Sequence, residues 1–181
     1  GVEGIPLPET DSLRSKFLSE YDRFVNYRIF DQVSTIKEYM ESRGETPRLL
    51  NKLGVMYASY ALYDRARPYF ERAVSIADYV PALQNLGNLC FLESDHEAAL
   101  LFYTRSHQAA PDEPSAVLAL ARTHHEIGNY EVSRVHYDRL RSLDPDLAER
   151  YAYLDSRSGN QGRAAAAEAH LRKVIWVEEL E

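Results

Sequence analysis

Histidines are the residues of this sequence best suited to bind a metal ion. His124 and His125 adjoin Glu126 and form the densest group. Neighbouring residues of a helix point about 100° apart, so these two side chains cannot hold one metal ion in regular geometry. We expect His124 at a core position and His125 on the opposite surface. The remaining histidines are scattered and indicate surface or helix-end positions: His96, His107, His136 and His170. The sequence therefore predicts no metal site.

Cysteine, glycine and carboxylate chemistry does not point to catalysis either. Cys90 is the single cysteine, which excludes an internal disulfide and a cysteine-rich metal site, and a buried inert thiol is favoured there over a reactive one. No glycine-rich phosphate loop or dinucleotide-binding pattern occurs. Acidic clusters at 93–97, 112–113 and 178–179 predict solvated helix ends, because acid–base catalysis needs a cleft that desolvates its carboxylates. We expect no enzyme activity and no cofactor.

Composition narrows the class of partner. The 181 residues carry a net charge of −7, with 45% hydrophobic and 27% charged residues, which is typical of a globular domain. Nucleic-acid-binding proteins normally carry clustered positive charge, so we expect no nucleic-acid partner. No stretch approaches the roughly 18 apolar residues of a membrane span, and we expect no membrane insertion. The cytoplasm is favoured as the compartment, with the periplasm as the alternative if an N-terminal leader has been removed.

One residue pattern is written three times between Pro47 and Pro145. A leucine followed by a small residue marks each copy, at Gly54, Gly87 and Ala121, with intervals of 33 and 34 residues. The copies read Leu53-Gly54 with Tyr57, Ala66, Phe70 and Ala73; Leu86-Gly87 with Cys90, Ala99, Tyr103, Ser106 and Pro111; and Leu120-Ala121 with His124, Ser133, Tyr137, Leu140 and Pro145.

This pattern resembles the signature of the tetratricopeptide repeat (TPR) family, in both its residues and its period. The resemblance covers about half of the chain. It implies an all-α fold, a right-handed α-solenoid of antiparallel helix pairs with about ten helices. It also implies a non-enzymatic scaffold for protein–protein interaction, whose partner the motif does not identify. The small residues stand where two helices cross, since a longer side chain would push the backbones apart.

The repeats divide the chain into consecutive segments of one domain. Helix pairs are predicted at 47–60 with 63–77, 80–93 with 96–109, and 114–127 with 130–143. Before them, two helices at 10–26 and 29–43, ended by Gly44, form a hairpin or a degenerate repeat. After them, a final helix continues through Ile175, Trp176 and Val177 to Leu180. The expected segments are an extended lead-in at 1–9, the hairpin at 10–46, TPR 1 at 47–79, TPR 2 at 80–113, TPR 3 at 114–147, and a degenerate TPR 4 with a C-terminal helix at 148–181.

The first helices of successive pairs line the concave face of such an array, which makes that face the candidate binding groove. Side-chain amides there can donate to and accept from the backbone of a bound segment, and an apolar pocket can anchor one side chain. Of the basic and amide clamp with which some TPR proteins hold a chaperone carboxylate, this sequence keeps Asn85 alone. The predicted groove residues are Asn51, Lys52, Val55, Gln84, Asn85, Asn88, Phe91, Leu118, Arg122 and His125.

Two hypotheses of function follow, and a third is weaker. The first is a scaffold that binds a peptide or a helix of a partner protein in this groove. The second is an assembly module of a longer protein, which forms a homo-oligomer or docks another domain through its terminal helices and Trp176. The third is an accessory domain of an enzyme whose catalytic part lies elsewhere.

Overall fold

The computed structural model describes residues 10–155 and 174–178, and these are helical almost throughout, with no strand among them. The chain divides into two compact units, the first ending at Gly44 and the second beginning at Glu45. The predicted all-α solenoid of helix pairs is confirmed, with eight α-helices among the described residues where about ten were expected. The helices are α1 Thr10–Arg43, α2 Pro47–Ser59, α3 Tyr63–Ile76, α4 Val80–Leu92, α5 His96–Ala109, α6 Pro114–Glu126, α7 Tyr130–Leu143 and α8 Pro145–Arg150, followed by a short 3₁₀ helix Ala152–Asp155.

The first unit contains one long helix where the sequence predicted two. α1 runs from Thr10 to Arg43 without a break, so the expected hairpin with helices at 10–26 and 29–43 is wrong. Neither glycine nor proline interrupts this stretch, and nothing else in it stops a helix. Gly44 ends the helix with a φ of +90°, and its N–H donates to the carbonyl of Met40 at 2.8 Å. The predicted lead-in at 1–9 lies outside the described residues.

In the second unit, the three helix pairs begin and end within one residue of the predicted positions. Each helix packs mainly against its pair partner and then against the next pair. Proline at the first or second position starts four of the helices, where the missing N–H costs little. Side-chain caps stabilise several starts: Thr46 accepts from the N–H of Leu49, and Asp95 from the N–H of Ala98.

The small residues lie where the sequence predicted them, at the closest approach of paired helices. A Cβ atom added to Gly54 would lie 2.6 Å from Cδ1 of Phe70, and one added to Gly87 would lie 2.6 Å from Cδ1 of Tyr103. Both rings are buried among other side chains. In the third pair, Ala121 is fully buried, and its carbonyl accepts from the hydroxyl of Ser133 at 2.8 Å. The aromatic ring of one helix therefore occupies the space that the missing side chain leaves on the other.

Three exposed ion pairs recur with the 33- and 34-residue period of the repeats. In each, an arginine on the second helix of a pair reaches an acidic residue 27 positions earlier, just before the first helix. Exposed pairs of this kind contribute little, about 0–1 kcal/mol each. The pairs are Arg72 with Glu45, Arg105 with Asp78, and Arg139 with Asp112.

The end of the chain departs from the predicted fourth copy. α8 and the 3₁₀ helix replace its first helix, and Leu154 is fully buried against the third pair. Residues 174–178 are not helical, so the predicted continuation of a final helix through Ile175, Trp176 and Val177 is wrong. Branched and aromatic residues of this kind favour an extended backbone. The final helix is also expected to include the alanine-rich stretch 164–169, which lies outside the described residues, and the assignment of 148–181 to a repeat stays a prediction.

Candidate peptide-binding groove

Three asparagines form the candidate site, which we call the asparagine groove: Asn51 on α2, with Asn85 and Asn88 on α4. Asn85 and Asn88 are three residues apart and share one face of their helix. All three side chains are buried, with exposed fractions of 1%, 0% and 7%. Burying an amide costs free energy unless it is hydrogen-bonded, so partners for these groups are required.

Their partner is the backbone of residues 175–177 of the same chain. Val177 is held through both of its backbone polar groups, because its N–H donates to Oδ1 of Asn85 at 2.9 Å and its carbonyl accepts from Nδ2 of Asn85 at 2.9 Å. The same carbonyl accepts from Nδ2 of Asn51 at 2.9 Å. The carbonyl of Ile175 accepts from Nδ2 of Asn88 at 2.9 Å. The polar groups bound belong to alternate residues, which is the pattern of an extended strand presenting one edge.

Neighbouring groups fix the orientation of each amide. Nδ2 of Asn85 donates a second bond, to Oδ1 of Asn51, at 2.8 Å. The hydroxyl of Tyr103 donates to Oδ1 of Asn88 at 2.8 Å, which turns Nδ2 of Asn88 towards the groove. Burial raises the pKa of Tyr103, so this hydroxyl keeps its proton and remains a donor. The groove is therefore a preorganised set of backbone-binding amides.

The half-buried side chain of Trp176 packs against two aromatic rings of α3. Its ring lies 6.3 Å from that of Phe70 in a stacked arrangement and 5.9 Å from that of Tyr63. It also borders the buried group that contains Val174 and Phe91. The side chain of Ile175, by contrast, is 56% exposed. Val174 is buried, Ile175 is exposed and Trp176 is half-buried, so the first three residues of the segment alternate between the protein and solvent, as an extended backbone does.

Comparison with known families identifies the repeats. Two family models described as tetratricopeptide repeat match residues 47–78 and 91–157. The chain belongs to the tetratricopeptide repeat family. No curated protein matches it in sequence.

Solved structures agree with this TPR fold. They include a crystal structure of MamA, with 19% identity and a TM-score of 0.60 over 93% of this chain and 88% of that chain. The MamA RS-1 ArsTM double mutant has 17% identity and a TM-score of 0.61 over 85% and 90%, and MamA MSR-1 C2 has 17% and 0.56 over 88% and 95%. Identities this low show a shared TPR fold and nothing further.

The other predicted residues of the TPR groove do not contact residues 175–177 through any described hydrogen bond. The guanidinium of Arg122 lies 5.0 Å from the centre of the Phe91 ring, and the ring of His125 packs edge-on against those of Tyr130 and Tyr153. His125 is thus buried, contrary to the predicted surface position. The four remaining predicted residues have different surroundings. Gln84 accepts from the hydroxyl of Ser115 at 2.7 Å, Val55 is buried and Lys52 is exposed. Leu118 packs beside Ala121, in a different buried group from Phe91.

No described residues form a group able to hold a metal ion. Three histidines from successive helices do lie together: the rings of His124 and His136 stack at 5.7 Å, and His107 meets His136 edge-on at 6.1 Å. Burial, with the nearby charges of His124 and His107, lowers the pKa of His136 to about 4.

Burial also raises the pKa of the Cys90 thiol, which disfavours a reactive thiolate there. None of the described helices is long and apolar enough to cross a membrane.

The repeat register predicts that the asparagines face the groove, but it does not predict what they bind. The sequence predicted a helix from Val174 to Val177 and an assembly contact for Trp176. One signal was available: Val-Ile-Trp-Val is a run of residues with high strand propensity after an alanine-rich stretch. The role of Tyr103 in orienting Asn88 also depends on the fold, because these residues are 15 positions apart on different helices.

Proposed function

We propose that this chain is a non-enzymatic protein-interaction scaffold and that the asparagine groove binds an extended peptide segment of a partner protein. Membership of the TPR family supports the role of scaffold. The observation that carries the finer proposal is the set of four hydrogen bonds between the side chains of Asn51, Asn85 and Asn88 and the backbone of Ile175 and Val177. The groove is already shaped for an extended backbone, because such a segment of its own chain fills it.

An extended peptide fits these bonds better than a partner helix does. Asn85 pairs with both the N–H and the carbonyl of one residue. In the interior of a helix those two groups bond to other residues of the same helix and are not available together. The sequence left both kinds of ligand open, and the amide geometry favours the extended one.

The chemistry of the groove also indicates how selective it is. Bonds to the backbone read no side chain, so they contribute affinity without much sequence preference, while side-chain pockets supply specificity. The position that Trp176 occupies, against Phe70 and Tyr63, is such a pocket. Offset aromatic pairs are worth about 0.5–1.5 kcal/mol beyond their buried area. We therefore infer a partner segment with an aromatic residue between aliphatic ones.

A labelled synthetic peptide with the sequence of residues 172–181 provides a direct test. It is titrated into the full chain carrying Trp176→Ala, which weakens the hold of the chain's own segment, and binding is followed by fluorescence anisotropy. We expect saturable binding. Adding Asn85→Ala removes two bonds to the peptide, each worth about 1 kcal/mol, and should weaken binding roughly 30-fold.

Gln108→Ala in the same background is the matched control, since it removes an amide side chain that is exposed on α5. It should bind the peptide as tightly as the parent. Circular dichroism shows whether each variant keeps its helices. If the peptide does not bind, or binds equally well after Asn85→Ala in a folded protein, the groove is not the binding site.

Assembly through the terminal helices stays a prediction. Trp176, which that hypothesis made the contact residue, packs here on Tyr63 and Phe70 of its own chain. No described contact favours this second function over peptide binding.

A further inference from the structure

The asparagine groove is filled by its own chain. Resting on the function proposed above, we propose that residues 174–178 act as an intramolecular competitor, which keeps the groove closed until a partner's extended peptide displaces them. The proposal concerns regulation of the same site.

Residues 174–178 and a partner peptide cannot occupy the groove together, because both would need the same amide atoms of Asn85 and Asn51. Nδ2 of Asn85 donates both of its hydrogens, one to the carbonyl of Val177 and one to Oδ1 of Asn51. Oδ1 of Asn85 accepts from the N–H of Val177, and Nδ2 of Asn51 donates to the same carbonyl. A second peptide cannot form these bonds while the segment holds them.

Tethering gives the segment an advantage in this competition. It follows α8 in the same chain, so its local concentration at the groove is that of a linked ligand, on the order of millimolar. A free peptide with the same intrinsic affinity must approach that concentration to displace it. A partner that binds at lower concentration needs better contacts than the segment makes.

The segment leaves room for such a better ligand. The side chain of Ile175 is 56% exposed, and Trp176 and Val177 are half-buried. Three of its backbone polar groups are hydrogen-bonded to the groove, while the side chains of Ile175, Trp176 and Val177 keep part of their surface exposed. A peptide that buries a larger side chain beside the aromatic anchor gains affinity without changing a backbone bond. These features are those of a displaceable internal ligand rather than of a permanent part of the core.

The experiment compares the full chain with two variants that loosen the segment in different ways. Trp176→Ala removes the aromatic anchor. Val177→Pro removes the N–H that donates to Oδ1 of Asn85 and leaves every groove residue unchanged. The labelled 172–181 peptide is titrated into each protein. We expect both variants to bind it at least tenfold more tightly than the unmodified chain, with intact helicity by circular dichroism.

Tyr27→Ala is the control for loss of an aromatic side chain, because Tyr27 on α1 is 84% exposed. It should bind the peptide as weakly as the unmodified chain does. If all four proteins bound the peptide with equal affinity, competition by residues 174–178 would be overturned, while the proposed function would stay intact. Failure of every variant to bind would overturn the proposed function as well.

The groove could also be filled by residues 174–178 of a second copy of the chain. Light scattering over a range of protein concentrations tests this by measuring the mass of the particle in solution. We expect the mass of one chain throughout. Growth of the mass with concentration, abolished by Val177→Pro, would place the segment in the groove of another copy and overturn closure within one chain.

Discussion

Gly87 shows how a single position sets the distance between two helices and also serves the groove. The ring of Tyr103 lies against its backbone, and the hydroxyl of the same tyrosine orients Asn88. A side chain at 87 must therefore push on the residue that prepares the asparagine groove. The close packing of α4 on α5 and the geometry of the binding amides depend on the same ring.

We predict that Gly87→Ala destabilises the protein in spite of the better helix propensity of alanine. The propensity gain is about 1 kcal/mol, while overpacking a buried site costs about 1–3 kcal/mol. The free energy of unfolding, measured by urea denaturation, should fall by about 1 kcal/mol. Ala121→Gly is the mirror change at the equivalent position, where a methyl group already fits. A Gly87→Ala protein as stable as the parent would show that the Tyr103 ring moves freely.

At the scale of the helix pair, the turn between the two helices repeats its backbone conformation. Ala61, Ser94 and Gly128 occupy equivalent positions at intervals of 33 and 34 residues, and all have positive φ, at 57°, 64° and 82°. In the third turn alone the residue is glycine, which adopts this conformation without steric cost. The other two turns are strained by their side chains.

We predict that Ser94→Gly stabilises the protein. Left-handed backbone costs a residue with a Cβ about 1–2 kcal/mol, and the greater freedom of glycine in the unfolded chain offsets up to about 1 kcal/mol of that relief. A rise in melting temperature of a few degrees is expected in a thermal scan. Gly128→Ala should lower it by a comparable amount. If Ser94→Gly lowered the melting temperature, side-chain contacts of Ser94 would outweigh its backbone strain.

Helix pairs could be predicted from the sequence where local signals mark them, and could not where such signals are missing. The three helix pairs followed from local signals: proline at helix starts, small residues at Gly54, Gly87 and Ala121, and a fixed period. The break predicted in α1 had no such signal, since no glycine or proline stands near residue 27. Polar groove residues were recognisable from their register on α2 and α4. Their ligand was not, because Asn85 and Val177 are separated by 92 positions and no periodicity relates them.

At the scale of the whole solenoid, the stack of pairs brings one histidine from each of α5, α6 and α7 together. His107, His124 and His136 have no common place in the repeat pattern, yet their rings adjoin. Burial lowers the pKa of both His124 and His136, so both are neutral near pH 7. Protonation of His136 would place a charge in a poorly solvated position beside two further histidines. The second and third repeats are therefore coupled by a contact that is sensitive to acid.

We predict that this contact makes the fold less stable below about pH 6.5. The pKa of His136 is about 4 in the folded protein and near 6.5 in the unfolded chain, so the unfolded chain binds the proton more tightly. The stabilisation by the neutral ring is complete above pH 6.5 and is lost as the pH falls from 6.5 towards 4. Because His136 is partly exposed, solvent screening reduces the effect to about 1–2 kcal/mol. Urea denaturation at pH 7.5 and pH 5 measures it, and His136→Leu should flatten the difference. A His136→Leu protein with the same loss between these pH values would assign the acid sensitivity to other groups.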